Sequence, residues 1–592
     1  MRRVQAAGLA LLVWVGGACR CAAGEDSPSA PRIAPADQKL VTWVVRRTLE
    51  QYAADGSTYD PPYRPAHLAA LRMQIAVTLR RGGVAVGVGV SPMAPILEAA
   101  QQAALKAFED AAGLATVDAD ALERMRIEIE AIGTVVAAPV VPYWGTAQSY
   151  AFLEPGVHGI VLDLQGAKGA MRPSEFIGTG YSVVAALRSL SERMNPEGKS
   201  HQGMLASWFR TAHWHELWPH GDVVELQRGL IVLPPEVVTR RSLAKAIDSI
   251  AAYLAYRQKP SGEFSYQYEP SADRYSGSNN FARQAETAWC LAHYAAQTDD
   301  ETATRVAKKA VRSLARYVTD LQGVEDAGYF LGPDRSADLA ATALLCLALT
   351  DCPASEESRA VRDKLVAGML WLQRPSGRFI NVFPPALVER SSEVPAGQAL
   401  LALARVYTQD PQERILHAFE AALPFCRDHF HQTPQAGFAA WQTRAFALMA
   451  RRTGHRRYAD FVFEMSDGLV GRQLGADNCE WPELYGGIDP PGRERVSAVT
   501  CIHLESLADA LELARELGEA KRAKRYQQAV RAAARFVMQL QFRPQEGFYV
   551  RSTIDCYGGI RRSPWDSRLR IDNSARALTA LNRTRQVLFH DH

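Results

Sequence analysis

The stretch Gln258-Lys259-Pro260-Ser261-Gly262-Glu263-Phe264 ends one apolar helical run and leads into another, and it returns along the chain. A Gln, then a Gly with an aromatic residue one or two positions on, recurs as Gln322…Gly328-Tyr329, Gln373…Gly377-Arg378-Phe379, Gln432…Gly437-Phe438 and Gln541…Gly547-Phe548. A degenerate copy, Gln473…Gly475…Trp481, falls between the last two. Six copies spaced 41 to 68 residues apart predict a helical repeat array, because fixed punctuation at such a period marks one supersecondary unit per copy.

Each unit reads as an outer helix, the Gln…Gly turn and an inner helix. The outer helix over 242–257 places Ile247, Ile250, Ala251 and Leu254 on one face. The inner helices are predicted over 280–296, 338–349, 394–407, 439–451, 500–517 and 572–584, and are dominated by Ala, Leu and Thr. Small side chains suit helices packed on both sides, where neighbours must approach closely. Six such hairpins in series, each too apolar on one face to stand alone, close most naturally into a ring over about 241–588.

The rest of the chain is of a different kind. Its 592 residues allow several domains, and 67 basic against 64 acidic side chains, without a long basic run, point to neither nucleic acid nor an anionic membrane as partner. Residues 1–24 read as a secretory signal peptide: Arg2-Arg3, an apolar stretch over 6–18 too short to span a bilayer, then Cys21-Ala22-Ala23-Gly24. The expected location is therefore periplasmic or extracellular, with no integral membrane segment in the mature protein. Seven cysteines remain after the signal, none in a Cys-x-x-Cys pair, so neither zinc nor thioredoxin-like chemistry is indicated, and no metal or organic cofactor is expected.

A Pro/Ala/Ser-rich linker over 25–37 leads into an α+β domain over 38–240. Helical runs at 39–54, 95–112 and 181–193 alternate with strand-like runs at 125–132, 159–164 and 229–233 and a Gly/Val segment at 82–90. That Gly/Val segment lacks the spacing of a phosphate-binding loop. His213-Trp214-His215-Glu216 offers metal-ligand types, but His-x-His alone is nonspecific, and the segment reads as a surface loop around a packed Trp. His158 sits in a Gly156-Val157-His158-Gly159 turn, where a structural hydrogen bond is the ordinary role.

The order of elements over roughly 40–235, and above all Pro155-Gly156-Val157-His158-Gly159-Ile160, resembles the AMMECR1-like domain. The counterpart of that family's Leu-Arg-Gly-Cys-Ile-Gly segment is Val86-Gly87-Val88-Gly89-Val90, with neither Arg nor Cys, so no cysteine-dependent activity is implied.

The repeat region resembles the α/α-toroid (six-hairpin) superfamily of terpenoid cyclases, glycoside hydrolases, sugar epimerases and polysaccharide lyases, its turns being similar to the QW repeats of squalene cyclases. The implied fold is multidomain, an N-terminal α+β domain followed by a mainly-α (α/α)6 toroid. In such a ring, chemistry belongs at the mouth, where turns enter the inner helices. The turns supply Glu480, Glu483, Tyr557, Glu286 and Asp572 as catalytic candidates, and Asn280, Arg283, Trp441, Trp481, Tyr485, His503 and Arg561 as substrate-binding candidates. Asp334, Asp338, Arg390, Glu393, Arg444 and Glu505 lie in the same turns or just beyond them. Aromatic faces stack on sugar rings, paired carboxylates perform acid/base work and Arg binds uronate charge.

Each has a structural alternative. Asp338 and Asp572 suit helix N-caps, while Arg283, Glu286 and Arg561 suit ion pairs between hairpins. The Glu480–Tyr485 turn and the Tyr557/Arg561 pair are the strongest clusters. The expected partner is a polysaccharide or oligosaccharide, processed by hydrolase, lyase or epimerase chemistry. The alternative is a non-catalytic scaffold that binds a glycan or a protein. The terpenoid-cyclase branch is disfavoured by the lack of an Asp-x-Asp-Asp acid and by the export signal.

Overall fold

The computed structural model describes residues 28–113, 117–138, 153–164, 166–180, 182–194, 204–352, 355–384, 392–433, 436–489 and 495–589. The chain is mostly helical, with a β-rich N-terminal region. That region contains α1 (Pro35–Asp55), α2 (Ala66–Ala70), β1 (Arg72–Arg81), β2 (Val84–Val90), β3 (Ala94–Pro95), α3 (Ile96–Ala112), α4 (Ala119–Leu122) and β4 (Arg126–Ile132). It continues with β5 (Val136–Ala137), β6 (His158–Leu164), β7 (Ala167–Met171), α5 (Pro173–Thr179), α6 (Val183–Met194), β8 (Met204–Glu216) and β9 (Val223–Leu226). The strands form one antiparallel sheet in the order β2-β1-β4-β8-β6-β7, with β3 on β1 and both β5 and β9 on β8.

The two-residue period of the strands explains which face is core. Ile75, Val77, Leu79, Ile127, Ile129, Ala212 and Trp214 share an apolar cluster with residues of α1 and α3. Gly87 and Gly89 of β2 are needed for this packing, since a Cβ at either would stand 2.1 Å from a backbone oxygen of α3. The Gly/Val segment is thus a strand pressed backbone-first onto a helix.

Two sequence expectations are corrected here. Residues 213–216 are not a surface loop but the end of β8, with His213, Trp214, His215 and Glu216 all buried. Residues 229–233 are not a strand; Gln227 and Leu230 form an isolated bridge around a turn at Arg228 and Gly229.

Among the described residues, twelve α-helices follow. The outer set is α7 (Arg240–Tyr256), α9 (Glu301–Ala315), α11 (Glu356–Trp371), α13 (Glu413–Gln432), α15 (Arg456–Val470) and α17 (Ala520–Leu540). The inner set is α8 (Phe281–Thr298), α10 (Leu339–Asp351), α12 (Val394–Gln409), α14 (Ala436–Thr453), α16 (Thr500–Glu516) and α18 (Ile571–Phe589). Each inner helix packs on the next, and α18 packs back on α8, so the structure is a closed (α/α)6 toroid. Short strands in the turns reinforce the closure: Gln267 and Tyr268 in the first turn pair with Arg570 and Leu569 in the last.

The recurring Gln is a staple. Gln258 donates from Nε2 to the Gly262 carbonyl at 3.2 Å, across its own turn, and to the Val306 carbonyl on the next outer helix at 2.8 Å. Gln373 does the same to Gly377 and Ala418, and Gln473 to Gly486 and Ala529. Gln541 reaches the Ala246 carbonyl and the Ser249 hydroxyl, joining the last outer helix to the first. Gly262, Gly377, Gly486 and Gly558 each have a φ between +83° and +97°, and a Cβ at any of them would meet a backbone carbonyl of the adjacent outer helix. Only glycine tolerates both the left-handed backbone and the close approach.

The sequence reading therefore misplaced two glycines. In the copies beginning at Gln473 and Gln541 the working residues are Gly486 and Gly558, not Gly475 and Gly547, because longer turns intervene. Gln322, between α9 and α10, and Gln432, the last residue of α13, stand in the corresponding connections but are exposed.

Candidate functional site

At the mouth of the ring, the first turns of α8 and α18 bring five charged groups together. Asn280 caps α8 by accepting a hydrogen bond from the Arg283 backbone N–H at 3.0 Å. One turn on, Glu286 accepts a bidentate pair from Arg576 at 2.5 and 2.8 Å. Asp572 accepts a second bidentate pair from Arg570 at 2.9 and 2.6 Å. Arg283 bridges them, 2.8 Å from Glu286 and 3.5 Å from Asp572. Burial alone would raise the Asp572 carboxyl, but the surrounding Arg576, Arg283 and Arg570 guanidiniums hold it below its ordinary value. Three guanidiniums thus face two carboxylates beside two helix N-termini, a locally positive arrangement.

The carboxylates are fully buried, whereas the Arg283 and Arg570 side chains retain 31% and 23% of their exposure. The groups a ligand meets first are therefore arginines. Arg570 also lies over the half-buried Tyr266 ring at 5.5 Å.

Beneath this cluster the ring interior is packed with ion pairs. Arg444 binds Glu505 at 2.6 Å and covers Trp289 at 5.2 Å, and Trp289 lies 6.0 Å from Trp441. Burial raises the Glu505 carboxyl, and Arg444 offsets only part of that rise. Deeper still, Asp351 accepts from Trp289 Nε1 and is paired with His293 and Arg405, while Arg583 pairs with Asp509.

The sequence-selected residues fall in separate places. Glu286, Asp572, Asn280 and Arg283 are brought together at the mouth. Trp441 and His503 are buried in the ring interior, so neither presents a face to ligand. Asp572 is ion-paired inside α18 and not a cap, whereas Asp338 does cap α10, accepting from Ala341 at 2.7 Å. Arg390 lies outside the described residues.

The cluster that looked strongest in sequence sits against the N-terminal region. Glu483 is fully buried and paired with Arg228, which also pairs with Glu154 at 3.0 Å. The guanidiniums of Arg210 and Arg228 lie over the Trp481 ring at 4.8 and 5.1 Å. Glu480 stands 3.7 Å from Arg210, and the Tyr485 carbonyl accepts from Arg535 at 3.0 Å. Glu480, Trp481 and Glu483 thus lie at a seam between the two parts of the chain, and Tyr485 is tied to α17 within the toroid. Arg561 is buried and paired with Glu546 at 2.8 Å. Tyr557 lies on the outside of the ring, bordering a hollow with Arg241 and Lys245 of α7. Neither belongs to the mouth.

Sequence reading missed Arg576 and Arg228. Arg576 was visible in principle, four residues after Asp572 on one helix face. Arg228 carried no local signal, because its partner is 255 positions away.

No family model matches the chain. A curated Aeropyrum pernix protein, described only as a protein, is 24% identical over 217 residues, which cover 35% of this chain and 91% of that relative. Among solved structures, an uncharacterised protein from Pyrococcus horikoshii matches 33% of this chain and 98% of its own, at 16% identity and a TM-score of 0.28. The α-1,6-mannanase of Salegentibacter sp. matches 58% of this chain and 99% of its own, at 11% identity and a TM-score of 0.43. A cellobiose 2-epimerase from Bacillus thermoamylovorans matches 58% and 99%, at 12% identity and a TM-score of 0.44.

Proposed function

We propose that the toroid binds an acidic oligosaccharide at its mouth, a uronate or similarly charged sugar held by Arg283 and Arg570. The observation that carries this reading is the ratio of three guanidiniums to two buried carboxylates, with the arginines outermost. A sugar carboxylate would meet preorganised donors beside the half-buried Tyr266 and Phe281 rings at the same rim. Export from the cell, supported by residues 1–24, and an AMMECR1-like N-terminal domain, supported by the 155–160 turn, belong to the same proposal.

A second reading, glycan processing, is favoured by Glu505. It lies buried beneath the mouth cluster against Arg444 at 2.6 Å, and burial raises its carboxyl, the direction a general acid needs. Glu286 and Asp572, two of the five catalytic candidates read from the sequence, are instead saturated by arginine, which favours binding over turnover.

The test is a panel of neutral and uronate-containing oligosaccharides, read by thermal shift for binding and by reducing ends and unsaturated-uronate absorbance for turnover. Stabilisation by acidic but not neutral sugars supports the reading. Equal response to both contradicts it, and turnover lost in Glu505→Gln would establish the second reading.

A further inference from the structure

Helix α9 carries Arg305, Lys308, Lys309 and Arg312 at the i, i+3, i+4, i+7 spacing that aligns side chains along one face. All four are exposed, and among the described residues none is ion-paired. This is not general to the outer ring: Arg456, Arg457, Arg522 and Arg525 of α15 and α17 are each held by a carboxylate. The row borders a hollow of about 760 Å³ floored by Ala295 and Ala296, whose lining includes Asp299 and Glu301 as its only carboxylates.

The row also leads somewhere. At 1.5 Å per residue it spans about 10 Å, and its upper end meets the first mouth turn, where Gln258 binds the Val306 carbonyl and Gly262 abuts the Lys309 carbonyl. One turn further, Arg316 is exposed and hydrogen-bonded to Ser313. Tyr317 then packs edge-on against Phe281 at 5.8 Å, two residues before Arg283. Arg316 therefore extends the row of cations one turn further toward the mouth.

We infer that α9 is a second subsite for the same acidic glycan, so that the favoured ligand is a polyanionic polysaccharide chain that engages the mouth and continues down the outer wall. This rests on the reading of the mouth given above. The lining residues include no bulky apolar side chain to enter a bilayer and no aromatic ring for a nucleic-acid base.

The test compares the whole protein with its Arg305→Glu/Lys309→Glu/Arg312→Glu variant, titrated with polygalacturonate, with trigalacturonate and with phosphatidylserine vesicles. These three positions are exposed, and an unchanged melting temperature confirms folding. The inference expects polygalacturonate affinity to fall by about tenfold or more and to lose part of its salt dependence, with trigalacturonate affinity unchanged. Unchanged polymer affinity beside retained trimer binding would overturn the inference and leave the mouth reading intact. Row-dependent polymer binding without trimer binding would sustain the row and overturn the mouth. Row-dependent binding of vesicles but not of polymer overturns the inference.

Discussion

Gly377 shows most directly how one residue holds the ring. Its φ is +83°, and a Cβ there would stand 1.9 Å from the Ala421 carbonyl. Gly377→Ala is expected to cost about 3 kcal/mol, from left-handed strain and the displaced helix together. Gly475→Ala, in open space, is expected to stay within about 0.5 kcal/mol; denaturant titration of both variants checks the contrast. Equal losses would show that the 473 copy works through Gly475 as the sequence suggested. The stapling Gln was legible in four copies because it recurs, but in the copies at Gln322 and Gln432 the matching Gln is exposed, and in the two longest turns the glycine lies away from its expected distance. Arg228 and Glu483 are the residue-scale counterpart at the seam. Arg228→Ala leaves a buried carboxylate uncompensated and is expected to cost about 3–5 kcal/mol, whereas Arg228→Met/Glu483→Met is expected to recover most of that loss. Urea unfolding of the single and double variants measures the difference.

Among the elements, β8 was the least legible and its consequences reach furthest. Its alternation puts Ala212 and Trp214 in the apolar core, and His213 and His215 on the opposite face, where Glu128 of β4 and Arg80 of β1 also lie. A sheet with one polar face normally reads as half-solvated; here that face is covered by the α17–α18 turn of the toroid. Phe548 lies 5.2 Å from His213, 5.7 Å from His215 and 5.1 Å from Arg80, and the Gln545 carbonyl stands 2.8 Å from His215 Nε2. No local pattern predicts such a cover, because it comes from residues more than 300 positions away.

Burial first, and then the neighbouring His213, pushes the His215 imidazole down to about 4. The unfolded chain takes up this proton near pH 6.5, so it binds more protons than the folded chain between there and about pH 4. His215 therefore costs nothing above pH 6.5, and stability falls by up to about 3 kcal/mol as pH drops through that window. Melting temperature against pH should show this slope, flattened in His215→Gln. An identical slope in the variant would place the sensitivity elsewhere.

Over the whole molecule, the closed ring was legible from six punctuation marks and Ala-rich inner helices, which is the coarse geometry of close packing. What the sequence could not show is that the ring's interior is filled by ion pairs. Asp351 illustrates this. Burial alone would raise its carboxyl, yet Arg405 and His293 hold it well below the usual range. Asp351→Asn is expected to destabilise by about 3 kcal/mol at neutral pH, by leaving Arg405 and His293 without their common partner, and thermal melts would detect it. The same saturation explains why the carboxylates gathered at the mouth serve as anchors for arginine more than as free acids.

Acidic-glycan binding at the mouth is tested most directly by calorimetric titration of trigalacturonate into the intact protein and into Arg283→Ala, with the uncharged trigalactose as control. Binding of the acidic trimer alone is expected, weakened about tenfold or more by the substitution. Equal affinity for the two trimers, or an acidic trimer bound as tightly without Arg283, would contradict it.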